Sequence, residues 1–173
     1  MIGRMATSSL PAPTPGTASL ATERLLLRPV RAADVPAVTR LWTDPEVRRH
    51  LGGPVTEQVV RIRQRRVVGA AGVYAVVRTA DDVLLGLVTV EPEARAGETE
   101  VSYQFLPEHW GHGYAREAVA AVVEATLLGT PCVVALTQEA NHRSRRLLEA
   151  VGMTHVSSFV EYDAHQVLYR RSR

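Results

Sequence analysis

The chain has 173 residues, of which 46% are hydrophobic and 22% are charged, and its formal net charge is +2. This length suits one domain with a sizeable core, and the composition is ordinary for a soluble globular protein. No apolar run approaches the roughly 20 residues of a membrane helix, and a single cysteine excludes an intrachain disulfide.

Residues 1–21 are rich in Ala, Ser, Thr and Pro, which predicts a disordered leader ahead of one domain over residues 22–173. The leader lacks the sustained apolar core of a signal peptide, so export is not expected. Cys132 begins the apolar run Cys132-Val133-Val134-Ala135-Leu136, which favours a reduced, buried core thiol in a cytoplasmic protein.

The first half of the domain predicts a strand followed by helices. Leu25-Leu26-Leu27 is typical of a strand that ends at Pro29, and Asp34 is a plausible N-cap for a helix through Trp42. A second helical start is predicted at residues 43–46, and another helix at 56–68. The arginines of that last helix are interpreted as a solvated face: Arg61, Arg63, Arg65 and Arg66.

The second half alternates strands and helices. Strands are predicted at 73–78, 83–90, 98–106, 131–137, 154–161 and 165–171, and helices at 114–128 and 142–151. The resulting order, βααβββαβαββ, predicts an α/β protein with a mixed sheet.

Residues 107–118 form a glycine-rich turn that leads from a strand into a helix. Gly111 and Gly113 allow positive φ and close approach of the backbone to a ligand. The first turn of the helix presents unpaired N–H groups and the positive end of the helix dipole. The junction therefore predicts a phosphate site, although such a turn by itself is often a mere connection.

The run from Phe105 to Ala115 resembles the acetyl-CoA loop of the GNAT superfamily of N-acetyltransferases, whose pattern is Arg/Gln-x-x-Gly-x-Gly/Ala. Trp110 stands where Arg or Gln is usual, and Gly113 and Ala115 fill the two small positions. The variant Trp-Gly-x-Gly-Tyr-Ala is similar to the RimJ/RimL-type branch, which acetylates protein N-termini and includes many small-molecule acetyltransferases.

Other segments carry the same resemblance. Residues 141–153 are similar to the family's Asn-x-x-Ser, Leu pair and Gly-Phe, with Met153 replacing Phe. Residues 22–29 and 44–47 look like the branch's opening strand and first inter-helix segment. The resemblance covers about residues 22–171.

The resemblance implies the GNAT fold, a mixed sheet of about seven strands with about four helices. Its fourth and fifth strands, here 98–106 and 131–137, would splay apart to admit the pantetheine arm of acetyl-CoA. A primary amine would attack the thioester directly, with no covalent acyl-enzyme. The implied cofactor-binding residues are Phe105, Leu106, Trp110, Gly111, His112, Gly113, Tyr114, Ala115, Arg116, Asn141 and Arg145, with Arg146 as an alternative to Arg145.

For catalysis, the resemblance places the Ser144 hydroxyl near the departing sulfur as the acid. Glu100, on the strand whose end meets the thioester, is the best candidate for a base acting through water. Further contributors are Tyr103, Tyr162 and His165.

Several alternatives stay open at this point. Asn141 also suits an N-cap, Ser144 a first-turn residue, and Glu100 a solvated or hydrogen-bonded strand carboxylate. Trp42 belongs either to the core or to the wall of an acceptor pocket. His109 and His112 lack ligand spacing, so no metal is expected.

The acceptor is either a protein N-terminus or a small amine. Rival functions are a non-catalytic acyl-CoA-binding module and an RNA-associated module using the basic helix, although nucleic acid and membrane partners are not expected. The oligomeric state, a homodimer included, is left open.

Overall fold

The structure is a computed structural model that describes residues 18–173. Most of the expected leader, residues 1–17, lies outside the described residues. The strands are β1 Leu20–Ala21, β2 Leu25–Pro29, β3 Val73–Arg78, β4 Val83–Arg95, β5 Glu98–Phe105, β6 Cys132–Gln138, β7 Thr154–Glu161 and β8 Ala164–Ser172. The helices are α1 Val35–Thr43, α2 Glu57–Val67, α3 Tyr114–Leu127 and α4 His142–Ala150, with 3-10 turns at Ala32–Asp34 and Pro107–His109.

The eight strands form one sheet in the order β1-β2-β3-β4-β5-β6-β8-β7. The β5–β6 pair is parallel and the other neighbours are antiparallel. The predicted mixed sheet and four helices are therefore confirmed. The eighth strand, β1, lies within the segment expected to be a leader, because Leu20 and Ala21 pair with Leu27 and Leu26 of β2.

Helices cover both faces of this sheet. One core cluster packs α3 and α4 against the sheet, with Val101 and Phe105 of β5 among its buried members. The other packs α1 and α2 against the opposite face and includes Trp42 and Leu106. Because side chains alternate along a strand, Ser102 and Gln104 point to the α1/α2 side. In the described part of the chain, no helix is long and apolar enough to cross a membrane.

Two local predictions differ from the structure. The helical start at residues 43–46 was wrong: the Asp44 side chain does accept from the Glu46 and Val47 N–H groups, but residues 45–51 form successive turns. The glycines at 52–53 leave too few residues to offset the cost of helix nucleation. Strand β4 runs five residues beyond Val90, because its exposed, proline-containing end resumes pairing where Arg95 meets Glu98.

The feature that positions the site is the separation of β5 from β6. Across the described residues these strands pair at Thr99–Val133 and Glu100–Val134, near their starts. Beyond that point β5 continues to Phe105 and β6 continues to Gln138 without pairing to each other. The expected splayed strands are thus β5 and β6, fifth and sixth here because β1 precedes them.

Candidate active site

The edge of β5 that faces the gap carries backbone groups that do not pair with β6. The Leu106 N–H donates to the Leu85 carbonyl at 2.9 Å, which makes this a hydrogen-bonded pair of the β4–β5 ladder. Since such pairs alternate along an antiparallel ladder, Tyr103 and Phe105 direct their backbone groups away from β4, toward β6. Leu106 itself is committed to β4 and to the core, so Phe105 and Tyr103 are better placed than Leu106 to meet a ligand in the gap.

The glycine turn at the end of β5 has a left-handed backbone that leads into the first turn of α3. Gly111 and Gly113 both have φ of +80°, a left-handed conformation that favours glycine, and Gly113 is the N-cap of α3. With glycine there, no side chain caps the helix. The N–H groups of Tyr114, Ala115 and Arg116 lie in its first turn, where they lack intrahelical acceptors.

The turn is braced from behind by the segment between β1 and β2. Arg24 donates to the His112 carbonyl at 3.0 Å, and its guanidinium lies 4.6 Å from the centre of the Tyr114 ring. The same arginine pairs with Glu117 at 2.7 Å, and Thr22 donates to that carboxylate at 2.6 Å. Burial would raise the pKa of Glu117, but these hydrogen bonds outweigh it and lower the pKa. Sequence reasoning assigned no role to Arg24.

Trp110 packs beneath the turn. Its indole N–H donates to the Phe105 carbonyl at 2.8 Å, and the ring packs against the α3/α4 core cluster. The guanidinium of Arg143, on α4, lies 4.2 Å from the centre of the indole ring. Where the family pattern has Arg or Gln, this chain therefore presents an aromatic ring that supports a cation from another helix.

Asn141 and Ser144 stand across the gap at the start of α4. Asn141 is the N-cap, and its Oδ1 accepts from the Ser144 N–H at 3.1 Å. The N-cap alternative is confirmed for Asn141. The Ser144 hydroxyl lies 2.8 Å from the Tyr103 hydroxyl, which comes from β5. These two hydroxyls connect the two sides of the gap.

Tyr103 is held in its neutral form. Burial raises the pKa of Tyr103 to about 12, although the hydrogen bond with Ser144 acts in the opposite direction. At neutral pH the Tyr103–Ser144 pair therefore consists of two intact hydroxyls that can donate a hydrogen bond into the gap.

Glu100 is engaged in an ion pair. Arg95 lies 3.2 Å from its carboxylate and also contacts Glu161 at 3.3 Å. Glu100 sits where β5 still pairs with β6, five residues before Phe105, which is about 16 Å along an extended strand. Its side chain points to the α1/α2 face, away from Tyr103.

The other sequence candidates are dispersed. Arg145 donates to the Tyr169 hydroxyl and to the Glu139 carbonyl, both at 3.3 Å, which turns it toward β8. Tyr162, in the turn between β7 and β8, is 80% exposed, and His165 is also exposed. Among the residues described, no three His, Cys, Asp or Glu side chains converge as metal ligands would.

Cys132 differs from the expected core thiol. It is half-buried at the start of β6, where its thiol donates to Glu98 at 3.1 Å. This hydrogen bond, with burial second, raises the pKa of the Cys132 thiol, so the protonated thiol is favoured.

A pocket of about 210 Å³ opens on the other face of β5. Trp42 is 5% exposed in the α1/α2 core, which confirms the core alternative, and it also forms part of the wall of this pocket. The lining residues are Trp42, Arg63, Val67, Val73, Leu87, Thr89, Ser102, Tyr103 and Gln104. Tyr103 thus borders both the pocket and the gap.

Comparison with known proteins agrees with this architecture. Residues 24–154 match the family model described as acetyltransferase (GNAT) domain. The chain is 29% identical over 162 residues to the FsC-acetyl coenzyme A-N(2)-transacetylase of Aspergillus fumigatus, covering 84% of this chain and 69% of that protein.

Solved structures show the same fold. A GNAT-family acetyltransferase from Bacillus anthracis superposes with a TM-score of 0.80 at 23% identity, covering 90% of this chain and 98% of the other. The spermidine N-acetyltransferase of Vibrio cholerae, solved with CoA and spermine, gives 0.73 at 17% identity, covering 87% and 96%. The chain therefore belongs to the GNAT family of acetyltransferases, enzymes that use acetyl-CoA as the acetyl donor.

Proposed function

We propose that this protein transfers the acetyl group of acetyl-CoA to a primary amine by direct attack of the amine on the thioester. The observation that carries the proposal is the pair of hydroxyls, Tyr103 and Ser144, 2.8 Å apart across the gap where β5 and β6 separate. The gap ends at a left-handed glycine turn that opens α3. An extended arm with a phosphate at one end fits such a groove.

Different residues of the site bind different parts of acetyl-CoA. Backbone N–H groups at the start of α3 bind the pyrophosphate, and the exposed Arg143 supplies a cation above Trp110. We assign Arg143 the role expected of Arg145, because Arg145 is turned toward Tyr169. The edge of β5, through the backbone of Tyr103 and the Phe105 N–H, pairs with the amides of the pantetheine arm as an added strand would.

Ser144 and Tyr103 stabilise the departing sulfur. A thiol has a pKa of about 8.5, whereas that of Tyr103 is about 12, so a full proton transfer from the phenol to the thiolate is unfavourable. The dyad acts instead by hydrogen bonding: Ser144 donates to the sulfur as negative charge develops, and Tyr103 donates to the Ser144 oxygen. The proton released by the attacking amine passes to solvent and finally to the thiol.

Glu100 has a supporting role in this proposal. Its carboxylate is bound by Arg95, which also holds Glu161, so the three side chains tie β4, β5 and β7 together. A base acting through water would have to compete with that guanidinium. These contacts therefore favour the alternative in which Glu100 is a hydrogen-bonded strand carboxylate.

The glycine turn gives the first test. Gly113→Glu adds a side chain and a negative charge where the backbone must approach a phosphate, at φ of +80°. We expect it to abolish acetyl-CoA binding in calorimetry. Gly97→Glu is the matched control: Gly97 also has φ of +80°, but it lies in the β4–β5 turn with open space around it.

Function is tested by thiol release from acetyl-CoA over N-terminal peptides, aminoglycosides, polyamines and amino acids. Turnover with at least one primary amine, lost in Gly113→Glu and kept in Gly97→Glu, is the expected result. Unchanged acetyl-CoA affinity in Gly113→Glu would overturn the loop assignment. Tight binding of acetyl-CoA without transfer to any amine would mean a non-catalytic acyl-CoA-binding protein.

A further inference from the structure

The pocket beside β5 has an unusual distribution of charge. Trp42, Val67 and Leu87 supply apolar walls. Among residues 18–173, Arg63 is the single charged residue that lines the pocket, and no carboxylate does. Its volume of about 210 Å³ is below the roughly 300–1,000 Å³ of pockets that hold drug-sized ligands. The pocket therefore suits a molecule about as large as an amino acid.

Arg63 faces inward from α2. Val60 and Val67, the buried residues of this helix, lie three before and four after it, so all three share one face. Arg63 therefore does not belong to the solvated arginine face that the sequence predicted. It is half-buried, and its guanidinium lies 5.7 Å from the centre of the Trp42 ring. Within the described residues, Arg63 forms no ion pair.

A second cation strengthens the positive potential here. Arg48 is 9% exposed, and its guanidinium donates to the carbonyls of Gly53 and Leu51. The pKa of Arg48 is lowered, first by burial and then by the charge of Arg63, so the two guanidinium groups lie within electrostatic range of each other. An anion beside Arg63 would offset this repulsion.

Gln104 lines the pocket from β5. The side-chain oxygen of Gln104 is buried and has no hydrogen-bond donor among the described residues. A buried acceptor left unsatisfied costs about 1–3 kcal/mol. Gln104 adjoins Tyr103, whose hydroxyl reaches Ser144 in the gap.

We propose that the acetyl acceptor is a small amine that also bears a carboxylate, of the kind represented by an amino acid with an apolar side chain. Arg63 binds the carboxylate as a two-pronged donor, and the apolar wall around Trp42 holds the side chain. This inference rests on the proposed function, because it names the substrate of that same site.

The same features disfavour a polyamine. Recognition of a polycation needs carboxylates or exposed aromatic faces, and the guanidinium of Arg63 already occupies the position near the Trp42 ring. The Vibrio cholerae relative, solved with spermine, shares the fold at 17% identity, so its acceptor does not carry over.

The test compares matched acceptors. Thiol release is measured with valine, leucine, methionine and phenylalanine, with their amides, with the corresponding decarboxylated amines, and with spermine. We expect the free amino acids to have kcat/KM values about 10- to 100-fold above those of the amides, the effect of one charge-assisted pair. Arg63→Gln should remove this preference by raising KM, with acetyl-CoA affinity unchanged.

Two further variants separate charge from structure. Arg63→Lys should restore part of the preference, because it keeps the charge without the planar fork. Arg66→Gln is the matched control, since Arg66 is exposed on the same helix and should leave the preference intact.

A binding measurement distinguishes failure of this inference from failure of acetyl transfer itself. The Trp42 indole N–H signal in NMR is followed as each amino acid is added to the acetyl-CoA complex. If leucine shifts this signal in the wild type and not in Arg63→Gln, the carboxylate site stands even when no amine is acetylated. If amides, decarboxylated amines or spermine are acetylated as well as the amino acids, the inference is wrong and the proposed function stands. If no amino acid shifts the signal, the inference is wrong.

Discussion

Ser144 and Tyr103 meet from opposite sides of the gap, and removal of either hydroxyl has a distinct consequence. Ser144→Ala deletes the group nearest the sulfur, so we expect kcat to fall about 100-fold while the acetyl-CoA dissociation constant changes less than about twofold. Tyr103→Phe should lower kcat less, because Ser144 keeps its own hydroxyl. Single-turnover rates and calorimetry measure the two effects.

The pH profile offers a check on the dyad. With the pKa of Tyr103 at about 12, the phenol stays protonated throughout the assay range, so Tyr103→Phe should keep the wild-type pH dependence from pH 6 to 10. Ser158→Ala, at an exposed hydroxyl on β7 bonded to His155, should leave the rate unchanged. Equal rates for wild type and Ser144→Ala would remove Ser144 from the mechanism.

The orientation of the arginines on α4 could not be predicted from the sequence. The Asn-x-x-Ser segment located the start of α4 and the residue that meets β5. It did not specify which of its arginines faces the glycine turn, because Arg143 and Arg145 project about 200° apart around the helix. That choice depends on how α4 is rotated against the sheet, which Leu148 and the other buried contacts decide.

Among the elements, the connection between the β1–β2 segment and α3 holds the glycine turn in place. Glu117 accepts from Thr22, from the Arg24 N–H and from the Arg24 side chain, and Arg24 in turn holds the His112 carbonyl. Glu117→Ala should lower the free energy of unfolding by about 1–3 kcal/mol, since partly buried donors lose their acceptor. It should also weaken acetyl-CoA binding, because the turn is no longer braced.

Glu124→Ala is the matched control on the same helix. Its side chain is 62% exposed and pairs with Arg171, so its stability should stay within about 0.5 kcal/mol of wild type. Chemical denaturation and calorimetry compare the two variants. If Glu117→Ala loses stability but keeps wild-type affinity for acetyl-CoA, the bracing has no functional role.

At the scale of the whole molecule, the order of elements was accessible from sequence because each element carries its own periodicity and end signals. The helix at Tyr114–Leu127 and the paired strands around Asp81–Asp82 are examples. The pocket could not be predicted from the sequence, because it depends on how α2 packs with Arg63 facing inward. The spacing of Arg63 from Val60 and Val67 was the one available signal. The neighbouring arginines made Arg63 look like part of a solvated face.

The buried ion pair between Arg28 and Asp34 joins the sheet to the start of α1, so its loss should lower the free energy of unfolding of the whole domain. The two side chains are 6% and 8% exposed and lie 2.7 Å apart. Burial would raise the pKa of Asp34, but hydrogen bonds from Arg28 and the Arg31 N–H lower it below its usual value. Asp34→Asn leaves the Arg28 charge uncompensated and should cost about 3–5 kcal/mol at neutral pH.

The sign of the pH dependence follows from that lowered pKa. The stability that the Asp34 carboxylate contributes is fully present above its unfolded pKa, about 3.9, and is lost as pH falls through the lower folded pKa. Denaturant unfolding of wild type and Asp34→Asn should therefore differ most at pH 5–7 and converge toward pH 2–3. Asp81→Asn, which removes a surface ion pair with Arg78, should leave the stability almost unchanged. A wild-type advantage that stays constant down to pH 2 would show that packing around Asp34, and not its charge, stabilises this junction.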